Sequence, residues 1–334
     1  MSTDTGIRVG VIGYGGAFNM GKNHLAHAQS AGMPPSAVCD LDPARTAAAN
    51  DDFPGIAIFN DVDEFLAKAP VDLVIVITPH NTHADLCIKA SNAGKHVVTE
   101  KPFSITTDEA TAMIDAAKKA GKMLSVYHNR RWDGDFMAIR QTIEAGLIGD
   151  VFSIEMAMGG YGHPGTWWRA DKNISGGNFY DWGAHVIDWM LHLVNKPIVD
   201  VTGIFQKRVW MDVTNEDHTQ AIIRFEDNVW ANVEMSQIAA VGKPRYRILG
   251  TKGGILDRWE GNFTLNSEIA GIRCESKVPY LKDDWAAYYT TIADHLARGA
   301  ELVVTPESAR RIISVIETAE KSAAAGKALV PPFK

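Results

Sequence analysis

At 334 residues the chain exceeds the size at which one hydrophobic core usually stops growing, so two domains are expected. Its 33 Lys and Arg against 40 Asp and Glu leave a formal charge of −7, and no basic block offers a footprint for nucleic acid or an anionic membrane. Apolar runs such as residues 73–77 are strand-sized and far short of a membrane span.

Residues 1–7 carry an acid and no charged-then-apolar signal pattern, from which a cytoplasmic location is expected. Cys39, Cys87 and Cys274 are odd in number and far apart, which reads as buried, reduced thiols. The 11 histidines show no ligand spacing, so no metal is expected.

Residues 1–127 alternate apolar strand runs with helical stretches, the pattern of a doubly wound parallel α/β sheet and hence of a dinucleotide-binding domain. Strands are expected at 7–12, 36–40, 56–59, 73–78, 96–99 and 124–128, nearly continuous in apolar residues because both faces of such a sheet are covered. A helix at 107–120 opens with the capping chemistry of Thr106 and Glu109.

The first strand runs into Gly13-Tyr14-Gly15-Gly16-Ala17-Phe18 and then a helix. Glycines there permit a tight turn and let backbone N–H groups approach a pyrophosphate at a helix N-terminus. The third small residue of the usual fingerprint would fall on Phe18, and the next glycine is Gly21, so the turn is extended. Asp40 ends the second strand, where a carboxylate accepts hydrogen bonds from ribose hydroxyls and favours NAD. Arg45 nearby keeps NADP open, and Asp40 and Asp42 also suit turn and cap roles before Pro43.

Thr78 and Pro79 follow the fourth strand at the carboxyl edge where ligands sit in open α/β sheets, while His83 either lines the cofactor or caps the following helix. Glu100-Lys101-Pro102 follows the fifth strand. An ammonium at that exit can orient a substrate hydroxyl and stabilise alkoxide charge as it develops during hydride transfer.

From residue 128 to 334 the pattern changes to longer runs with partial period-two alternation, at 151–158, 199–209, 217–225, 230–237, 245–256 and 272–278. A mainly antiparallel open sheet is expected, one face on helices and the other an apolar face available for homodimer or homotetramer formation. Helices at 285–298 and 306–325 close the chain.

Asp181 and His185 stand four apart on a helix, on a polar face continuing through Asp188 and His192 and opposite Val186, Trp189, Met190 and Leu193. Histidine suits proton exchange with an alcohol, and a carboxylate neighbour can fix its tautomer. Tyr161, His163, Trp167 and Arg169 precede this helix and are candidates for substrate contact, since aromatic faces pack on sugar C–H surfaces and arginine directs hydrogen bonds. Core packing is expected of most of the nine tryptophans, Trp189 and Trp230 included.

Taken together, these segments resemble the glucose–fructose oxidoreductase/inositol dehydrogenase/rhizopine-catabolism family, called Gfo/Idh/MocA. The features that carry the likeness are Gly13-Tyr14-Gly15, Asp40-Leu41-Asp42-Pro43, Thr78-Pro79 with His83, Ala93-Gly94-Lys95-His96-Val97, Glu100-Lys101-Pro102, Asn129-Arg130-Arg131, Trp168-Arg169, Ser175-Gly176-Gly177 and Asp181 with His185. The resemblance implies an N-terminal Rossmann domain, a C-terminal domain with an open sheet used for oligomerisation, and a cis Lys101-Pro102 bond. It implies Lys101, Asp181 and His185 as the catalytic group, and NAD(P)-dependent oxidation or reduction of sugars, inositols and related polyols. Glu100, Asn129, Trp168 and Arg169 join the cofactor-lining set. A redox-neutral hydrolase or lyase with tightly held NAD, and a catalytically silent sugar or dinucleotide sensor, are the alternatives; retention of Lys101, Asp181 and His185 counts against the sensor.

Overall fold

The computed structural model describes residues 4–15 and 18–334. These residues form two compact units, the first drawn from Met1–Asn129 and Trp285–Arg310, the second from Arg130–Asp284 and Arg311–Lys334. The change of pattern near residue 128 carries no signal for the return of 285–310 to the first unit.

In the first unit β1 (Val9–Ile12), β2 (Pro35–Cys39), β3 (Ala57–Phe59), β4 (Leu73–Val76), β5 (His96–Thr99) and β6 (Leu124–Val126) form a six-stranded sheet in the order β3-β2-β1-β4-β5-β6. Every pairing is parallel. All residues of β1 and β4 are buried, as their unbroken aliphatic runs require of a sheet with helices on both faces. The order reverses between β1 and β4, the switch point outside whose carboxyl ends ligands bind in such sheets.

The helices are α1 (Met20–Ser30), α2 (Pro43–Asp52), α3 (Val62–Lys68), α4 (His83–Asn92) and α5 (Thr107–Ala120), joined from the returning segment by α9 (Ala287–Arg298). Helix α5 starts where its sequence says it should. The Thr106 hydroxyl accepts from the Glu109 N–H at 3.1 Å, Glu109 Oε2 accepts from the Thr106 N–H at 3.0 Å, and Gly121 ends the helix at φ +63°. Helix α9 buries Tyr288 and Tyr289 completely, with the Tyr288 hydroxyl 2.8 Å from Ser125 Oγ on β6.

The second unit holds α6 (Gly134–Glu144), β7 (Val151–Gly159), α7 (Lys172–Ser175), α8 (Trp182–Leu193), β8 (Ile198–Gln206), β9 (His218–Phe225), β10 (Trp230–Ser236), β11 (Tyr246–Gly250), β12 (Gly253–Asp257), β13 (Asn262–Ile269) and β14 (Ile272–Pro279), with α10 (Pro306–Ala325) closing the chain. The eight strands run β14-β13-β12-β11-β7-β10-β9-β8, antiparallel throughout except where β10 lies parallel to β7. The expected strand at 245–256 is two strands around a Thr251-Lys252 turn. Strand β13 lies where none is expected: Phe263 and Leu265 point inward, but polar residues at the outward positions dilute its apolar signal.

Register explains the layering. Val201, Ile223, Ala231, Ile154, Ile248, Ile255 and Leu265 are paired partners across seven strands, and all are buried. One residue along, the opposite face presents Thr202, Ile222, Asn232, Glu155, Arg247, Leu256, Thr264 and Lys277. This face is amphipathic rather than apolar as expected, with Gln220 and Asn232 hydrogen-bonded at 2.8 Å and Arg247 paired with Glu155. Trp230 belongs to it and is 37% exposed, so it is not a core residue. Cys39 and Cys87 are buried and Cys274 only half-buried, all three as free thiols. On the covered face α10 lies so close to β8 that a side chain at Gly203 would meet the Ala319 carbonyl at 1.8 Å. No helix among the described residues is long and apolar enough to cross a membrane.

Helix α8 carries the polar stripe that the sequence suggests could face a cleft rather than bulk water. The middle of that stripe is buried: residues from Gly183 to Leu191 are all buried, His185 and Asp188 among them, while His192 at its end is exposed. A carboxylate in such a place needs a matched cation, and Asp188 has one. Arg131 Nε reaches Oδ2 at 2.9 Å and Nη2 reaches Oδ1 at 2.7 Å, with the two side chains 6% and 4% exposed. Replacing Arg131 by Met leaves that charge buried and unpaired and should cost about 3–5 kcal/mol in denaturant unfolding. Arg131→Met combined with Asp188→Leu should recover much of the loss.

Candidate active site

In the first unit the site begins at the exit of β1. Gly13 has φ +96°, and a Cβ there would lie 2.2 Å from the Ile77 carbonyl oxygen, so both the conformation and the close approach of the loop after β4 demand glycine. Around Gly15 nothing lies within 4 Å of a built Cβ. Its missing side chain leaves open space above the turn, the room a pyrophosphate needs to approach backbone. Gly16 and Ala17 lie outside the described residues. Phe18 is 56% exposed.

Tyr14 contributes backbone rather than ring to this turn. Its side chain is buried against Gly21, where a Cβ would strike the ring at 2.5 Å, and its hydroxyl donates to Asp52 Oδ2 at 2.9 Å. Burial first, then that carboxylate, push the phenol pKa up. Gly21 thus provides close helix packing beyond the extended turn. The Tyr14 N–H donates to Asp40 Oδ2 at 2.6 Å and the Asp42 N–H to Asp40 Oδ1 at 2.9 Å, tying the end of β2 to the glycine turn. Asp42 caps α2 through the Ala44 N–H.

At the ends of β4 and β5 two loops are pinned together. The Thr82 hydroxyl lies 2.7 Å from both Thr78 Oγ1 and the Pro79 carbonyl. His83 starts α4 with its ring fully buried, Nδ1 2.8 Å from the Pro102 carbonyl and Nε2 3.0 Å from that of Thr78. Burial holds its pKa below the usual imidazole value, against the pull of those carbonyls. The His83 ring therefore braces the backbone of both loops. The Lys101-Pro102 bond is cis, as expected. Glu100 accepts from the Lys101 N–H at 2.9 Å and lies 3.0 Å from His24 Nε2. Burial alone would raise its pKa, but the His24 contact and the Lys101 charge outweigh this and bring it to about 2. Asn129, which opens a 3-10 turn, is the last residue of this stretch of the first unit.

In the second unit Arg169 and Asp181 come together, Nη1 donating to Oδ1 at 2.7 Å, with the guanidinium 4.8 Å from the Trp168 ring centre and 5.4 Å from that of Trp167. Asp181 is the N-cap residue of α8, reached through Gly176 and Gly177 at φ +85° and +122°. One turn on, His185 lies between Trp182, 5.6 Å away edge to face, and Trp189, 6.3 Å away and nearly parallel. The Trp189 ring also meets the Arg245 guanidinium at 4.7 Å. Tyr161 and His163 form a separate group with Trp210, and His163 Nε2 is 2.9 Å from Asp212. Tyr161 is 59% exposed.

Arg130 and Arg131 were legible as a motif but without a role. Arg130 covers the Trp182 ring at 4.5 Å, and its carbonyl accepts the Trp189 indole N–H at 2.9 Å. The signal that finds Arg131 is Asp188 itself, an acid among apolar helix neighbours that must have a cation. His24, Tyr289 and Asp212 leave no such trace.

Residues 7–128 match the model of an oxidoreductase family with an NAD-binding Rossmann fold, and residues 136–256 match the GFO/IDH/MocA C-terminal domain. The chain belongs to the Gfo/Idh/MocA family. Among its relatives, a scyllo-inositol 2-dehydrogenase (NADP(+)) of Bacillus subtilis is 29% identical over 95% of this chain and 93% of its own. An inositol 2-dehydrogenase of Rhizobium meliloti is 27% identical over 95% and 97%. A crystal structure of an NAD-binding protein from Listeria innocua superposes with a TM-score of 0.87 at 28% identity, covering 97% of each chain. This Gfo/Idh/MocA protein is thus an oxidoreductase with an NAD-binding Rossmann domain. The described part of its glycine turn fits a dinucleotide, with Gly13 sealing the turn and Gly15 leaving it open. Gly15→Ala should keep the unfolding midpoint of the free protein while weakening dinucleotide binding by calorimetry. Gly13→Ala, which drives a methyl into the Ile77 carbonyl, should lower both.

Proposed function

We propose that the chain oxidises, reversibly, a secondary carbinol of a sugar, inositol or related polyol, with NAD preferred over NADP. What supports the reading is likeness along nearly the whole chain to two inositol dehydrogenases, in a sequence that keeps Lys101, Asp181 and His185. When bound, the nicotinamide supplies the hydride acceptor. His185 takes the hydroxyl proton, held edge to face by Trp182 and flanked by Trp189. Asp181 orients His185, and its own carboxylate is steadied by Arg169. Lys101 orients the substrate oxygen and stabilises its developing charge. Trp167, Tyr161 and His163 line the sugar, and the twofold aromatic contact of Arg169 keeps that guanidinium from swinging away.

The NAD preference rests on Asp40 and Asp42, two carboxylates where a 2′-phosphate would sit. The relative from Bacillus subtilis is named for NADP(+), so the family accommodates either cofactor. A panel of inositols and sugars with NAD and with NADP, followed by absorbance of the reduced nicotinamide and product analysis, tests the whole reading. Reduced NAD should accumulate with at least one cyclic polyol, and faster than reduced NADP. Turnover without accumulation would turn the assignment to redox-neutral chemistry.

His185→Ala should leave NAD affinity nearly unchanged while polyol oxidation falls ~10²–10⁴-fold, the usual loss when a positioned proton-transfer group is removed. Near-full activity in that variant, with an authentic substrate, would move the base role elsewhere.

A further inference from the structure

Two histidines in the first unit are completely buried, His24 on α1 and His83 at the start of α4. Neither touches the other, yet both rings end on the same three-residue turn. His24 Nε2 meets Glu100 Oε1 at 3.0 Å, and its Nδ1 lies 2.5 Å from the Tyr289 hydroxyl on α9. His83 Nδ1 meets the Pro102 carbonyl at 2.8 Å, and its Nε2 lies 3.0 Å from the Thr78 carbonyl. Between Glu100 and Pro102 stands Lys101, whose own N–H is taken by Glu100 Oε2 at 2.9 Å. The His24 ring is held further by Tyr127, 4.2 Å between ring centres, and by Tyr289 edge to face at 5.8 Å.

We propose that His24 and His83 are positioning residues for Lys101, a two-sided clamp that fixes the backbone before and after it and ties it to the two segments expected to hold the dinucleotide. Helix α1 follows the glycine turn directly, and His83 ends the Thr78-Pro79 loop. Each histidine therefore joins one cofactor-lining segment to one end of the lysine turn, so a shift of either segment is carried to Lys101 through a single buried ring. A lysine side chain has four rotatable bonds and strong hydration; fixing its backbone removes one source of misplacement at the reacting oxygen, where an error of about 1 Å can cost as much as ~10²-fold in rate. The inference takes its purpose from the catalytic reading of Lys101, but its test does not depend on turnover.

The protein is reductively methylated with ¹³C-formaldehyde, and the Lys101 resonance is assigned as the one missing from Lys101→Arg. In His24→Gln and His83→Gln, with folding checked by circular dichroism and thermal unfolding, the Lys101 signal should move to the position and width of solvent-exposed lysines while the other lysine signals stay in place. With an active substrate, kcat should fall by up to ~10²-fold with cofactor affinity nearly kept. Should a histidine variant fail to fold, Glu100→Gln, which keeps the side-chain shape and weakens the His24 contact, is read in the same way. A Lys101 resonance unchanged in the folded variants overturns the clamp. If the unmodified protein oxidises no polyol while the resonance still responds, the catalytic reading fails and the clamp stands.

Discussion

Asp188 is a carboxylate taken almost wholly out of water, and the second unit is organised by the arginine fork that neutralises it. A helix buried along most of its length has little solvent face to set its rotation about its own axis. In α8 two carboxylates do this instead. Asp181 and Asp188 are seven residues apart, close to two helical turns, and so point the same way. Arg169 grips the first and Arg131 the second. His185 lies between these two held carboxylates, with Trp182 edge to face and Trp189 nearly parallel to its ring. Arg130 lies over one of these tryptophans and accepts a hydrogen bond from the other. Two neighbouring residues of one 3-10 turn, Arg130 and Arg131, thus supply contacts to a helix in a later part of the chain.

The first unit solves its problem with backbone rather than side-chain charge. Gly13 lets the loop after β4 come within contact of the turn after β1, and Asp40 accepts the Tyr14 N–H, so three strand exits are locked by one missing Cβ and one carboxylate. The same logic holds at β5. Glu100 stays ionised in a buried place because an imidazole and a backbone N–H share its oxygens. The Asp40 and Glu100 carboxylates at these exits are satisfied before any ligand arrives, which is what a preorganised site requires.

Strands written as continuous aliphatic runs, such as Leu73–Val76, could be read directly, because a parallel sheet covered on both faces permits little else. The α5 cap was equally plain, since Thr106 and Glu109 serve each other within one turn. Longer-range organisation was not. The chain's return to the first unit rests on Tyr288 and Tyr289 meeting Ser125 and His24, contacts over sequence separations of 163 and 265 residues that no local period records. The cation that matches α8 was hidden for a related reason. Asp181, His185, Asp188 and His192 trace one stripe, but no local pattern says which cation pairs with Asp188, because Arg131 lies 57 residues away. In the same way the open sheet face keeps period two while mixing Ile222 and Leu256 with Glu155 and Arg247, a blend that alternation alone does not distinguish from an apolar surface.

The preference for NAD proposed above would come down to a competition for one cation. Both Asp40 oxygens already accept a backbone N–H, yet each retains a lone pair, so ribose hydroxyls can add to the carboxylate without displacing anything. A 2′-phosphate cannot share that arrangement, because it brings negative charge to Asp40 and Asp42 and needs a counter-ion. Arg45 is the nearest candidate in the sequence, and its Nε stands 3.9 Å from Asp42 Oδ2, both side chains about half exposed, 46% and 57%. A contact that long and that wet is worth little, so Arg45 leaves it at small cost. What opposes NADP is then less the loss of that pair than the two carboxylates left behind, one of which, Asp42, is needed to cap α2 through the Ala44 N–H. On the proposed reading, selecting NADP would take more than a freed arginine: Asp40 itself would have to go, and with it the hydrogen bond that ties the end of β2 to the glycine turn.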